Sequence, residues 1–324
     1  MNNTTLLNYR SFALFATWSL EGFIIGLANL VVVLSILRYT ALRSRSDIFL
    51  VAALGIADIC NLFAYFYGGT YRSLFLLSNH QEKLSPSTCI LMPHCLAWSF
   101  SESLASLMLL VLSLDRFLSV RYPLQYLGWS TTVCRYLVLS AYTFCVCMGV
   151  YGVGLVLYKS PETKVSGLCY TGGTLATVHS TIFMFYYRNA ASVFASASIL
   201  LYVIVWIEFK RGRKKVLDTV SASQVKYELK QQNRMTKTIA LSCLCTFLFV
   251  VLPLQLAYKL AYDLGYRFIA DMCWAVLNLN PLCNVLLFVI RHKEIKMAII
   301  GLLVCKPMPE DLKLWNTNAH STVN

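Results

Sequence analysis

Apolar residues along this chain fall into seven long runs, each bounded by polar or basic residues: Phe12–Leu37, Ile48–Tyr71, Ile90–Leu114, Val133–Tyr158, Thr181–Phe209, Thr238–Tyr262 and Phe268–Ile290. As helices, all seven are long enough to cross a bilayer. The third run carries the clearest internal pattern. Trp98, Glu102, Ala105, Leu109, Leu112 and Arg116 step by fours and threes, so they share one helical stripe. If Cys89 to Arg116 forms one helix, its roughly 27 residues rise about 40 Å and reach both interfaces. The pattern predicts an all-α membrane protein, a single seven-helix bundle packed around this third helix. A shorter apolar pattern with bases beside it, residues 291–305, predicts an amphipathic eighth helix lying in an interface.

Charge sets the expected topology. The 324 residues are 57% hydrophobic and only 13% charged, about half the charge of an ordinary soluble domain. The net charge of +13 is therefore no nucleic-acid footprint; the bases sit between apolar runs. Of the 28 Lys and Arg residues, 20 follow runs one, three, five and seven, which predicts that these connections and the tail face the cytosol. Residues 1–11 are then an extracellular N-terminus, 12–290 the bundle and 306–324 a cytoplasmic tail at the plasma membrane. Asn2 and Asn3 head overlapping glycosylation sequons on the outer side. The first run lacks a basic leader and a small-residue cleavage site, so no cleaved signal peptide is expected. Cys305, beside the eighth helix, is either a palmitoylation site or a free thiol.

Polar residues inside the runs are costly and point to function. Counted to the nearest cytoplasmic base, Asn29, Asp58 and Asn280 share one depth, roughly 14–20 Å above the inner charged ring. They are expected to face one another, either as a fixed staple or as a moving switch. Pro253 interrupts run six, as a fixed kink or as a hinge. The segment Arg72–Thr88 reads as an outer loop. Cys89 follows it, and Cys169 lies in the loop after run four; both fall on the oxidising side, where a bridge is favoured, with Cys95 as the competing partner.

Together these residues resemble the rhodopsin-like (class A) family of G-protein-coupled receptors. The resemblance covers almost the whole chain. It rests on Asn29, Leu54-x-x-x-Asp58, Cys89 with Cys169, Asp115-Arg116-Phe117 with Pro123 beyond it, Pro253, and Asn280-Pro281-x-x-Asn284. Within the family the chain is similar to the nematode serpentine chemoreceptors of the SX class, or to another divergent peptide- or odorant-type branch. It departs from the family pattern at Val251 (usually tryptophan), Asn284 (usually tyrosine), Asn233 (often an acid that pairs with the span-three arginine) and Ala105 (a serine in the sodium-binding members). Glu102, one turn above Ala105, offers a carboxylate there.

The resemblance implies a mechanism. An extracellular odorant, small polar molecule or peptide contacts spans three, five, six and seven. Packing shifts around Pro253 and the polar layer, Arg116 leaves Asp115, and a heterotrimeric G protein engages. Glu102 is the sharpest ligand candidate, facing a cationic group or pairing within the bundle, with Trp98 as a wall. Arg188, Tyr258, Lys259 and Asp271 near the outer ends are further candidates or a solvated rim. The rival reading is a transporter or ligand-gated channel, against which stands the lack of an internal repeat of broken helices or a filter-like loop. No nucleophile–base or metal-ligand motif suggests an enzyme, and no cofactor is expected.

Overall fold

A computed structural model describes residues 3–78, 82–159, 163–178, 180–217, 236–260 and 266–304. Seven helices among them are long and apolar enough to cross a membrane. They are α1 (Asn3–Arg38), α2 (Ser46–Leu77), α3 (Pro93–Arg121), α4 (Pro123–Lys159, its apolar span starting at Thr131), α5 (Thr181–Leu217), α6 (Thr236–Ala257) and α7 (Phe268–Arg291). A shorter α8 (Lys293–Leu303) follows α7. Exposed Leu20, Phe23, Ile24, Leu139, Leu200 and Leu248 point outward from the bundle, as lipid-facing side chains do.

The helices extend beyond the apolar runs in two informative places. α1 begins at Asn3, inside the segment expected to be the extracellular N-terminus ahead of the first apolar run. α2 runs on to Leu77, so Arg72, expected in a loop, sits within the helix and is buried. Glycine permits the close packing that this needs. A Cβ on Gly69 would lie 2.5 Å from the Phe15 carbonyl of α1, and one on Gly68 would lie 3.0 Å from the Trp98 indole. Backbone and ring approach α2 at these two points because no side chain stands in the way.

The continuous helix expected from Cys89 to Arg116 is instead three pieces. Pro86–Ile90 forms a short helix, Met92 is extended (φ −62, ψ 138), and Pro93 starts a new one. The proline disfavours helical geometry in the residue before it, and its own missing N–H is no loss at a helix start. A second break falls at Glu102–Ser103, where the Ser103 hydroxyl hydrogen-bonds to the Tyr186 hydroxyl of α5 at 2.8 Å. α6 opens into a π-helical stretch at Phe247–Val251 just before Pro253. The wider turn moves the carbonyls away from a ring that can neither donate to them nor fit beneath them. α7 breaks at Asn278, ahead of Pro281, and Asn278 Nδ2 donates to Glu21 of α1 at 3.0 Å.

At one end of the bundle a two-residue antiparallel ribbon pairs β1 (Lys83–Leu84) with β2 (Val165–Ser166). It brings Cys89 and Cys169 into a disulfide, 80 residues apart in sequence. The loop after β2, with a short helix at Thr171–Ala176, roofs this disulfide end. The opposite end, carrying Arg116, is the arginine end. There Arg45 pairs with Asp47 at 2.8 Å and with Glu294 of α8 at 4.0 Å, tying α8 to the start of α2.

Candidate functional site: a roofed cavity, a polar layer and a buried arginine

Beneath the disulfide loop lies a cavity of ≈190 Å³. Trp98 and Glu102 of α3, Asp271 and Trp274 of α7, Trp18 of α1 and Tyr65 of α2 line it, with Tyr170 in its roof. Three expected ligand residues, Trp98, Glu102 and Asp271, therefore meet in one space. Arg188 and Lys259 are not among its lining residues: Lys259 is exposed, and Arg188 is half-buried on α5. The side chain of Tyr258 lies outside the described residues, as does that of Asn3; Asn2, Asn233 and Cys305 lie outside them altogether. Tyr187 of α5 and Ala257 of α6 also line the cavity, so spans three, five, six and seven all reach it, and it extends to α1 and α2 as well.

The residue that sequence reasoning missed is Arg72. It is 1% exposed and lines the cavity. Its guanidinium carbon lies 4.5 Å from the Tyr170 ring, 4.9 Å from Trp98, 5.4 Å from Trp18 and 5.6 Å from Phe15. Ring faces attract a desolvated cation, and the guanidinium plane suits them. Nε donates to the Leu168 carbonyl at 3.0 Å and Nη2 to that of Cys169 at 3.2 Å. The Cys169 carbonyl also receives the Cys95 thiol at 3.2 Å and hydrogen-bonds the His94 ring at 3.2 Å. Cys95, the rival for the disulfide, thus serves as a donor to it. These contacts hold Cys169 in the left-handed region, φ 47, a conformation costly for a residue with a Cβ. A signal for Arg72 did exist: a single arginine flanked by Tyr71 and the apolar Leu74-Phe75-Leu76.

Deeper in the bundle the polar layer differs from expectation. Asn29 does not meet Asp58; its amide turns back on its own helix, to the Ile25 carbonyl at 3.0 Å. A buried amide with a free carbonyl one turn away can satisfy itself locally. Asp58 instead accepts from Asn284 at 3.4 Å, and Asn284 accepts from Ser242 of α6 at 2.5 Å. Asn280 accepts from Thr246 at 2.9 Å. Ser242 and Thr246 lie one turn apart on α6, a spacing visible in the sequence. A small cavity of ≈30 Å³, lined by Asp58, Glu102, Ala105 and Asn280, adjoins this layer.

At the arginine end, Asp115 and Arg116 are both buried, 1% and 6% exposed, so Arg116 does not snorkel to the interface. Arg116 donates to Asp115 through Nε at 2.9 Å and also through Nη2. The same carboxylate takes the Tyr126 hydroxyl and the Cys134 thiol, the latter at 2.9 Å. Burial and the adjacent carboxylate push the Tyr126 phenol above its ordinary range, so it stays protonated and donates. Phe117, beside the pair, is half-buried. Tyr126 and Cys134, not singled out in the sequence, hold the Asp115 carboxylate that faces Arg116.

Comparison with known proteins agrees with this architecture. The sequence profile described as "7 transmembrane receptor (rhodopsin family)" matches residues 28–288. Proteinase-activated receptor 1 of Cricetulus longicaudatus is 25% identical over 220 residues, 62% of this chain and 47% of that protein. The mouse protein of the same name is 25% identical over 218 residues, 64% of this chain and 48% of its own length. The chain thus spans about half the length of these relatives. Human olfactory receptor 13A1 is 23% identical over 248 residues, 70% of this chain and 68% of that protein. A profile match across most of the chain, seven apolar helices and the Cys89–Cys169 bridge lead to one conclusion: this protein belongs to the rhodopsin family of seven-transmembrane receptors.

Proposed function

We propose that the protein takes an extracellular ligand into the cavity beneath Tyr170 and passes the change to a heterotrimeric G protein at the arginine end. The observation that carries this reading is the construction of α3. Trp98 and Glu102 stand in the cavity wall, the helix breaks at Glu102–Ser103, and the next regular helix ends with the buried Asp115–Arg116 pair. A ligand touching Trp98 and Glu102 acts beside this irregular turn, whose Ser103 hydroxyl is tied to Tyr186 of α5. Motion then reaches α6 and α7 through Ser242–Asn284–Asp58 and Thr246–Asn280, with the π-helical stretch before Pro253 as the yielding segment. Once α6 moves away, Arg116 exchanges Asp115 for the G protein, and Phe117 and Pro281 flank the moving parts.

In this reading the disulfide end is extracellular and the arginine end cytosolic, in the plasma membrane, as the distribution of bases supports. Residues 1–11 lie outside with glycans on Asn2 or Asn3. Residues 291–305 rest on the inner leaflet with Cys305 positioned for a lipid, and 306–324 form the tail. The ligand is an odorant, a small polar molecule or a peptide. The relatives' names, one proteinase-activated and one olfactory, point in two directions, so the cavity must decide.

The test is nucleotide exchange on a panel of G proteins, comparing wild type with Arg116→Ala at equal surface expression. Exchange lost in the variant supports the reading. Equal exchange in both removes Arg116 from coupling. Solute flux or current without exchange favours a transporter or channel.

A further inference from the structure

We infer that the cavity selects a small aromatic zwitterion, of the size and charge pattern of an aromatic α-amino acid, with its carboxylate on Arg72 and its ammonium group toward Glu102 and Asp271. This rests on the cavity being the receptor's ligand site.

Charge is the first ground. Arg72 is a buried cation whose contacts are all neutral: ring faces and two backbone carbonyls. Among the described residues no carboxylate lies within 4.0 Å of it, and its Nη1 has no acceptor. Buried charges are ordinarily paired, because desolvation is otherwise uncompensated. The remaining N–H groups of a guanidinium match the two oxygens of a carboxylate. Glu102 and Asp271 line the same space and carry the opposite sign. A simple anion would sit against two carboxylates. A simple amine would leave Arg72 without a counter-charge and meet its repulsion. A molecule with both charges meets both walls.

Size and surface are the second ground. A dry cavity of about 150 Å³ accommodates one benzene ring. The ≈190 Å³ here admits one ring with a short charged tail. Trp18, Tyr65, Trp98 and Trp274 furnish aromatic walls, against which ring faces and edges pack well.

The experiment measures binding of three matched probes to the full chain in lipid nanodiscs: L-phenylalanine, phenethylamine and 3-phenylpropionate. These share the ring and differ in which charges they carry. Wild type should bind phenylalanine about tenfold or more tighter than either single-charge probe, the effect of one charge-assisted hydrogen bond. Arg72→Gln should erase the advantage over phenethylamine, and Glu102→Gln should narrow that over 3-phenylpropionate. Phenethylamine binding wild type as tightly as phenylalanine overturns the inference, as does failure of all three to bind. The wild-type comparison decides the matter even if Arg72→Gln does not fold. Binding is read without a G protein, so phenylalanine binding with no nucleotide exchange would sustain the inference while defeating the coupling mechanism.

Discussion

Among the described residues the protein buries two arginines, one near each end of the bundle, and stabilises them in different ways. Arg116 lies against a carboxylate from its own helix, Asp115, which is itself held by Tyr126 and Cys134. Arg72 has neutral partners drawn from α1, α3 and the disulfide loop, and no carboxylate within reach among the described residues. The first cation is closed: its charge is balanced before anything binds. The second is held in place but left electrically open, facing a cavity. A closed pair makes a switch that must be broken, whereas an open cation makes a socket that can be filled. The same side chain serves both ends because its planar fork bonds carbonyls, carboxylates and ring faces alike.

This comparison can be broken or sharpened by substitution. The largest effect should come from the disulfide that positions Arg72's carbonyl partners. Cys89→Ser opens a loop of 80 residues. It should cost about 4–5 kcal/mol by loop entropy and appear as lost surface expression and lowered Tm. Next, Asp115→Asn removes the counter-charge of a buried cation and should cost about 3–4 kcal/mol while raising basal nucleotide exchange. If Arg116 is closed by Asp115, this variant must be less stable than Asp115→Asn combined with Arg116→Met, measured by thermal unfolding. Arg72→Ala, which leaves the Leu168 carbonyl unpaired and a void among four rings, should cost about 3 kcal/mol without changing basal exchange. Equal rises in exchange for Arg72→Ala and Asp115→Asn would remove the distinction between socket and switch. Smallest, Tyr126→Phe should cost about 1.5 kcal/mol, losing the bond to Asp115 and the weaker one with Cys134, and Thr246→Val about 1 kcal/mol, losing the bonds to Asn280 and to the Ser242 carbonyl. Of the two, Tyr126→Phe should shift exchange in the direction of Asp115→Asn.

Much of this was readable in the sequence because it depends on neighbours or on composition. Seven apolar runs predict seven spans, since no other cheap way exists to carry a backbone through lipid. The proximity of Asp115 to Arg116 follows from adjacency. The pairing of Cys89 with Cys169 agrees with both falling on one side. The proline effects at Pro253 and Pro281 are local too: a ring without an N–H must distort its helix, and α6 and α7 do so just before each.

What only the tertiary structure decided is which face of each helix looks inward, and with whom each polar group pairs. In a soluble protein an apolar stripe marks the inner face. Here lipid and core are equally apolar, so the runs carry little record of rotation. Asn29 therefore shared a depth with Asp58 yet turned to its own backbone, while Ser242 and Thr246 met Asn284 and Asn280. Arg72 shows the same limit most plainly. Its carbonyl partners lie 96 and 97 residues away, and its four rings come from three separate elements. The sequence by itself determined that seven helices cross and that Arg116 has a partner. The packing of those helices determined that a second arginine is buried, and that a cavity opens beside it.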